Sequence, residues 1–182
     1  MRVYMDPPPR CGHGKGELVS AGVAVELWFL RHGEAEPHDA RSGSGRRLTP
    51  RGEEQSRAAG RAMAALELRF QLAVTSPRVR ARDTLWLACE SLSCDPVVHK
   101  PLSKGFDAGD AIELAHGAGP DKRVLVAGHN PDFEQVIHDL TGARTNLKKG
   151  GIAAVRLDGR RGTLLVVLRP REIARMAGDA PE

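Results

Sequence analysis

The chain has 182 residues, 41% hydrophobic and 27% charged, with 27 basic against 23 acidic side chains for a net charge of +4. That is the size and balance of one soluble domain with a full core. No apolar run is long enough to span a bilayer, and no apolar segment near the N-terminus leads to a small-residue cleavage site, so neither membrane association nor a secretory leader is expected. Aromatic residues make up only 4% and no dense Lys/Arg run marks a binding face, which argues against nucleic acid but suits an anionic substrate. The cysteines, Cys11, Cys89 and Cys94, are odd in number and spaced like neither a zinc ribbon nor a redox pair; they read as reduced thiols of a cytoplasmic protein.

In chain order, residues 1–22 read as a disordered N-terminal extension, punctuated by Pro7-Pro8-Pro9 and by Gly12, Gly14 and Gly16. A start of translation near Val23 or Val25 would account for them equally well. A single domain is expected over 23–182. The run 23–30 is mostly apolar, as in a strand covered on both faces, and a polar glycine-containing loop follows over 38–47. Thr49-Pro50 then reads as a helix N-cap and first helical residue, with Glu53 and Glu54 in the positive first turn. That helix continues through Ala58, Ala59, Ala62, Met63 and Leu66. A short strand over 72–74 is ended by Thr75-Ser76-Pro77, and a second helix over 79–92 is predicted to bury Leu85, Trp86 and Ala88 or Cys89.

Residues 96–98 read as a third strand and 108–116 as a third helix. RVLVA, over 123–127, is another buried strand, ending at Gly128-His129-Asn130-Pro131. Asn130 is expected to cap, and Pro131 to open, a helix stopped at Gly142. A hairpin over 152–157 and 163–168 and a last helix over 172–177 complete the chain. The alternation predicts an α/β three-layer sandwich with a mostly parallel central sheet and an antiparallel edge.

Such sheets bind ligands where strand ends meet helix starts. Two of the strongest apolar runs end in histidine here, at Arg31-His32-Gly33 and at Gly128-His129-Asn130, and a third strand end carries Ser76-Pro77-Arg78-Val79-Arg80. One histidine after a strand is usually a hydrogen-bonded structural residue; two at equivalent strand ends, with arginines in the same set of loops, call for another account. Zinc ligation fits poorly, because Arg31 and Arg80 would surround a cation and no HExxH or Cys-rich pattern supplies a third ligand. Guanidinium groups suit phosphate oxygens, which they bind bidentately at any working pH, and Gly33 would let backbone come close. A neutral imidazole can attack phosphorus and carry the group covalently, while the cations neutralise the equatorial oxygens. The residues therefore point to phosphoryl transfer without a metal or other cofactor.

LWFLRHGEAEP at 27–37, LTPRGEEQS at 48–56, TSPRVRARDT at 75–84 and VAGHNP at 126–131 together resemble the histidine phosphatase superfamily, with its phosphoglycerate-mutase-like fold, and most closely its short SixA-type phosphohistidine phosphatases. The resemblance implies that His32 is the phosphorylated nucleophile, that Arg31 and Arg80 clamp the phosphoryl oxygens, and that His129 completes the pocket as imidazolium or hydrogen-bond donor. Gly33 and Asn130 would then touch substrate. Arg78 and Arg82 read as surface charge at the entrance, and Thr49 and Gly52 as a helix entry. Ser76 could donate to phosphate or simply end its strand.

Larger members of that family carry an asparagine after RHG, near His38 here, and a later carboxylic acid as proton donor. Residues 102–110, LSKGFDAGD, give no clear counterpart. Asp107, Asp110 and Glu34 are the candidates, each read first as a cap or solvated carboxylate. An alkoxide leaving group needs such a proton in the transition state, whereas a phosphorylated imidazole has a labile P–N bond and a nitrogen that can already be protonated. The expected substrate is therefore phosphohistidine in a protein. The alternatives are a small phosphate ester, or a silent module that holds a phosphorylated partner.

Overall fold

Two apolar runs that leave no face for water organise the centre of the sheet. In the computed structural model, which describes residues 24–37, 39 and 43–179, they are β1 (Val25–Arg31) and β4 (Arg123–Gly128). They pair in parallel with Leu27 opposite Val124 and Arg31 opposite Gly128. Between them in sequence come α1 (Pro50–Ala65), β2 (Leu72–Thr75), α2 (Val79–Cys89), β3 (Pro96–Val98), a single 3-10 turn at Lys100–Ser103, and α3 (Ala108–Ala118). After β4 follow α4 (Asp132–Thr141), β5 (Ile152–Asp158), β6 (Arg161–Leu168) and α5 (Pro170–Met176). The six strands lie in the order β3-β2-β4-β1-β5-β6. β3, β2, β4 and β1 are parallel, and β5 and β6 form the antiparallel edge.

Strand alternation sorts the core into two layers. Leu27 and Phe29 of β1, with Val124 and Val126 of β4, face α3 and α4 through Ala111, Ala115, Phe133, Val136 and Ile137. Trp28 and Leu30, with Leu125 and Ala127, face α1, α2 and α5 through Ala59, Ala62, Met63, Leu85, Ala88 and Ile173. This is the expected three-layer α/β sandwich. Thr49 caps α1 as expected, its side chain accepting from Gly52 N–H at 3.1 Å, and Gly142 ends α4 at φ 75°.

Two readings need correction, and a third gains a detail. Trp86 was expected in the core but is 44% exposed; α2 buries Arg80, Ala81, Thr84, Leu85 and Ala88, and Trp86 lies one helical step off that stripe. Asn130 does not cap α4. The helix begins at Asp132, after Pro131, and has no side-chain cap. Cys89 and Cys94, five residues apart and unremarkable in sequence, come together with Sγ atoms 3.2 Å apart, because the turn after α2 folds residue 94 back onto the helix end. The proposed extension 1–22, with Cys11 and His13, and also His38, lie outside the described residues. Among the described residues no helix is long and apolar enough to cross a membrane.

Candidate active site

The register of β1 against β4 sets the two histidines side by side. Arg31 lies opposite Gly128, so the next residues, His32 and His129, leave the sheet together, and His32 N–H donates to Gly128 O at 3.1 Å. From there β1 leads to the α1 face and β4 to the α4 face, which opens a crevice between them, the place where open α/β sheets bind ligands. The imidazole centroids are 5.2 Å apart, and each histidine is only 5% exposed. β2, on the other side of β4, delivers Ser76, and the first turn of α2 delivers Arg80, 6% exposed.

Hydrogen bonds fix the tautomer of His32. Its Nδ1 lies 2.7 Å from Gly33 O; a carbonyl only accepts, so Nδ1 carries the proton and Nε2 keeps its lone pair. Arg80 Nε donates to that Nε2 at 3.2 Å. His129 Nε2 meets Ser76 Oγ at 2.9 Å, while its buried Nδ1 has no partner. Arg31 Nη1 donates to Leu147 O at 2.6 Å, and its Nε is also buried without a partner. The loop that supplies Leu147 is clasped to β1 by Gly150 N–H, which donates to Arg31 O and His32 O at 3.1 and 2.9 Å. It is held to α4 by Leu147 N–H donating to Glu134 Oε1 at 2.7 Å.

Gly33 and Asn130 sit beside the histidines but are engaged differently from expectation. Gly33 N–H donates to Thr84 Oγ1 at 3.1 Å, so it is not a free donor for substrate. Glycine is required there because a Cβ would run into Gly52 O where the chain crosses the first turn of α1. Asn130 Nδ2 donates to Leu147 O at 3.1 Å, and its buried Oδ1 is unpartnered. Asp107 and Asp110 follow their reading as caps, forming the capping box of α3, whereas Glu34 is half-buried and its Oε1 accepts from Thr49 Oγ1 at 3.0 Å.

Burial dominates the electrostatics. It pushes His32 down to about 3, against the Gly33 hydrogen bond and with help from Arg80, Arg31 and Lys149. It pushes His129 down to about 2, assisted by His32, Arg80, Arg78 and Arg31. Both imidazoles are therefore neutral at neutral pH. Burial, then Arg46 and Arg78, lowers Arg80 to about 10, and burial lowers Arg31 although Glu134 opposes it.

Sequence reasoning missed Ser76 as a partner of His129, Glu134 as the carboxylate that acts on Arg31, and above all Arg46. Arg46 is 4% exposed, and its Nε and Nη1 have no partner. Among the described residues, none of Arg31, Arg46 and Arg80 is ion-paired to a carboxylate. No three His, Cys, Asp or Glu side chains there converge as a metal set. A buried imidazole lone pair among unpaired guanidinium groups is an arrangement for binding an oxyanion and attacking its central atom.

The fold and this pocket define a phosphoryl-handling α/β protein, and comparison with known proteins agrees. The model of the histidine phosphatase superfamily (branch 1) matches residues 27–116. A functionally uncharacterised protein of Picosynechococcus sp. is 34% identical over 140 residues, 72% of this chain and 85% of that relative. Among solved structures, the protein histidine phosphatase SixA complexed with tungstate is similar at 26% identity and a TM-score of 0.73, covering 80% of this chain and 97% of that one. A phosphoserine phosphatase of Entamoeba histolytica in complex with 3-phosphoglyceric acid shares the fold at 14% identity and a TM-score of 0.68, covering 82% and 99%. The chain belongs to the histidine phosphatase superfamily. It is a phosphatase of the SixA-like kind, with a phosphoglycerate-mutase-like fold.

Proposed function

We propose that this phosphatase removes phosphate from phosphohistidine in a protein, through a covalent phosphoryl intermediate on His32 Nε2 and without a metal. The observation that carries this is the unprotonated His32 Nε2, fixed by the Gly33 carbonyl and facing the Arg80 guanidinium. When substrate enters, Arg80 Nε transfers its hydrogen bond from Nε2 to a phosphoryl oxygen, which frees the lone pair. Nε2 attacks phosphorus, the bond to the leaving nitrogen breaks, and the departing imidazole leaves neutral if it entered protonated. Water then attacks the phosphorus, the P–N bond to His32 breaks, and inorganic phosphate leaves.

Arg31 and Arg80 hold the equatorial oxygens. His129, neutral and with Nε2 accepting from Ser76 Oγ–H, offers Nδ1–H to the oxygen on which charge develops. Asn130 orients Leu147, whose carbonyl steadies Arg31; Gly33 sets the position of His32. The substrate class follows from the carboxylates. Among the described residues none is hydrogen-bonded to His32 or His129, and Asp107, Asp110 and Glu34 are engaged elsewhere. A leaving group that needs no added proton fits this site best. Exposed Lys148 and Lys149 and half-buried Arg78 at the rim suit an acidic protein surface. The setting that fits reduced thiols is the cytoplasm, with residues 23–182 as the one catalytic domain.

The test is a side-by-side assay with chelator present, comparing a protein phosphorylated on histidine with a panel of small phosphate monoesters, and using His32→Ala as the blank. Preference for the phosphohistidine protein, lost in the blank, is expected. Preference for an ester would overturn the substrate assignment and direct mutation to Glu34 and Glu134 as proton donors. Stoichiometric binding of the phosphoprotein with no turnover would instead make the chain a silent binding module.

A further inference from the structure

We infer that Arg46 is a substrate-binding residue, holding an oxygen of the transferred phosphoryl group alongside Arg80. The inference rests on the phosphatase reading above, but it comes from a residue outside the four that the sequence motifs single out. Arg46 is 4% exposed, and its Nε and Nη1 are enclosed without a hydrogen-bond partner. A guanidinium withdrawn from water and left with idle donors weakens a fold unless something else completes it.

The segment that carries Arg46 is tied to the site on both sides. Arg80 Nη1 donates to Gly43 O at 2.8 Å, and Val79 N–H donates to Ser44 O at 3.1 Å, so residues just before Arg46 lie against the start of α2. Just after it, Glu36 N–H donates to Arg47 O at 2.9 Å, and Leu48 bridges Ala35, close behind His32 and Gly33. Arg46 is thus held between the helix start that presents Arg80 and the chain that leaves His32. Its charge is also felt by Arg80, whose guanidinium it disfavours after burial itself. Two buried like charges near enough to act on each other, with no carboxylate on either among the described residues, are balanced when an anion lies between them. A phosphoryl group supplies both the charge and an acceptor oxygen for an idle donor of Arg46.

The test uses the full chain as wild type, Arg46→Met and Arg46→Lys, with inorganic phosphate as the probe. Thermal unfolding is followed across a phosphate titration, and p-nitrophenyl phosphate gives kcat and KM. Without phosphate, the Met variant should melt no lower than wild type, because an unpaired buried charge has been replaced by an apolar chain of similar length. Its half-saturating phosphate concentration and its KM should both rise by about tenfold, the size of one charge-assisted contact, and the Lys variant should recover part of the loss.

A Met variant that melts lower yet keeps the wild-type phosphate response and KM would make Arg46 a structural residue and overturn the inference. If the Met variant does not fold, the Lys variant decides: wild-type phosphate affinity with Lys in place overturns the inference, and weakened affinity at wild-type stability supports it. Phosphate that fails to stabilise the wild type also overturns it. Absence of wild-type turnover in spite of phosphate binding would count against the phosphatase reading alone.

Discussion

The two ends of the central sheet treat charge in opposite ways. Where β1 and β4 begin, a cavity of about 360 Å³ is lined by Ala24, Glu26, Asp121, Lys122, Arg123 and Arg156. Its carboxylate Glu26 is matched, accepting from Arg123 Nε at 2.8 Å, Trp28 Nε1 at 3.2 Å and Arg156 Nη2 at 3.5 Å. Burial works to raise the Glu26 carboxyl, but these hydrogen bonds outweigh it and hold it below the ordinary carboxylate range. Where the same strands end, Arg31 and Arg80 lie beside two neutral imidazoles, with Arg46 close enough to act on Arg80; among the described residues none of the three is ion-paired to a carboxylate, and His129 Nδ1, Arg31 Nε and Arg46 Nε have no hydrogen-bond partner. At the first end the carboxylate meets its counter-charge; at the second the buried guanidinium groups have none among the described residues.

Variants at the open end should therefore cost activity, and variants at the matched end should cost stability. The largest effect is expected from His32→Ala, which should remove turnover altogether in a p-nitrophenyl phosphate or phosphohistidine assay while leaving the protein folded. Arg80→Ala should lower kcat by about 10²–10³-fold, the usual cost of one transition-state donor, and raise KM. Its melting temperature without phosphate should not fall, and a sharp fall would break the comparison. Ser76→Ala leaves His129 without its orienting hydroxyl, so kcat should drop by about tenfold with KM nearly unchanged.

Acid should separate the ends next. The pocket histidines are held at about 3 and about 2, far below their ordinary 6.5. As pH falls through 6.5 the unfolded chain takes up protons that the folded chain refuses. The stability these groups contribute is thus complete above 6.5 and is lost progressively towards 3. Urea midpoints measured from pH 7 to 4 should decline, and saturating phosphate should flatten the decline. Smallest in its effect on activity is Glu26→Gln, which should leave kcat and KM at wild-type values and lower stability by about 1 kcal/mol in urea unfolding.

The sequence made one end of this contrast legible and hid parts of it. β1 and β4 stand out because largely apolar runs of this length mark strands covered on both faces, and a histidine at the tip of each is conspicuous against them. Arg80 and the cap at Thr49 are readable because their neighbours, Ser76-Pro77 and Pro50, carry strong local conformational signals. Arg46 could not be told from Arg47 beside it. Both lie in a Gly- and Ser-rich loop without periodicity, yet Arg46 is buried and Arg47 exposed, a difference decided by where the loop lands on α2. Ser76 was ambiguous for a related reason: its partner is 53 residues away, across a strand pairing that no local pattern encodes. Gly33 drew notice as a place where backbone could come close, and the backbone that comes close in the fold belongs to α1, a contact that no local pattern encodes. Trp86 misled because helical spacing fixes which residues share a face, and the stripe through Ala81, Leu85 and Ala88 passes it by.

The most direct test of the central claim is to look for the phosphoryl group on the enzyme itself. A protein radiolabelled on phosphohistidine would be mixed with excess enzyme, quenched within one turnover in alkaline denaturant, where phosphohistidine survives, and the labelled peptide identified. The account predicts transient label on the peptide containing His32, absent from His32→Ala and prolonged when His129 is replaced. Turnover at the normal rate with no label on the enzyme, or with label on another residue, would contradict it.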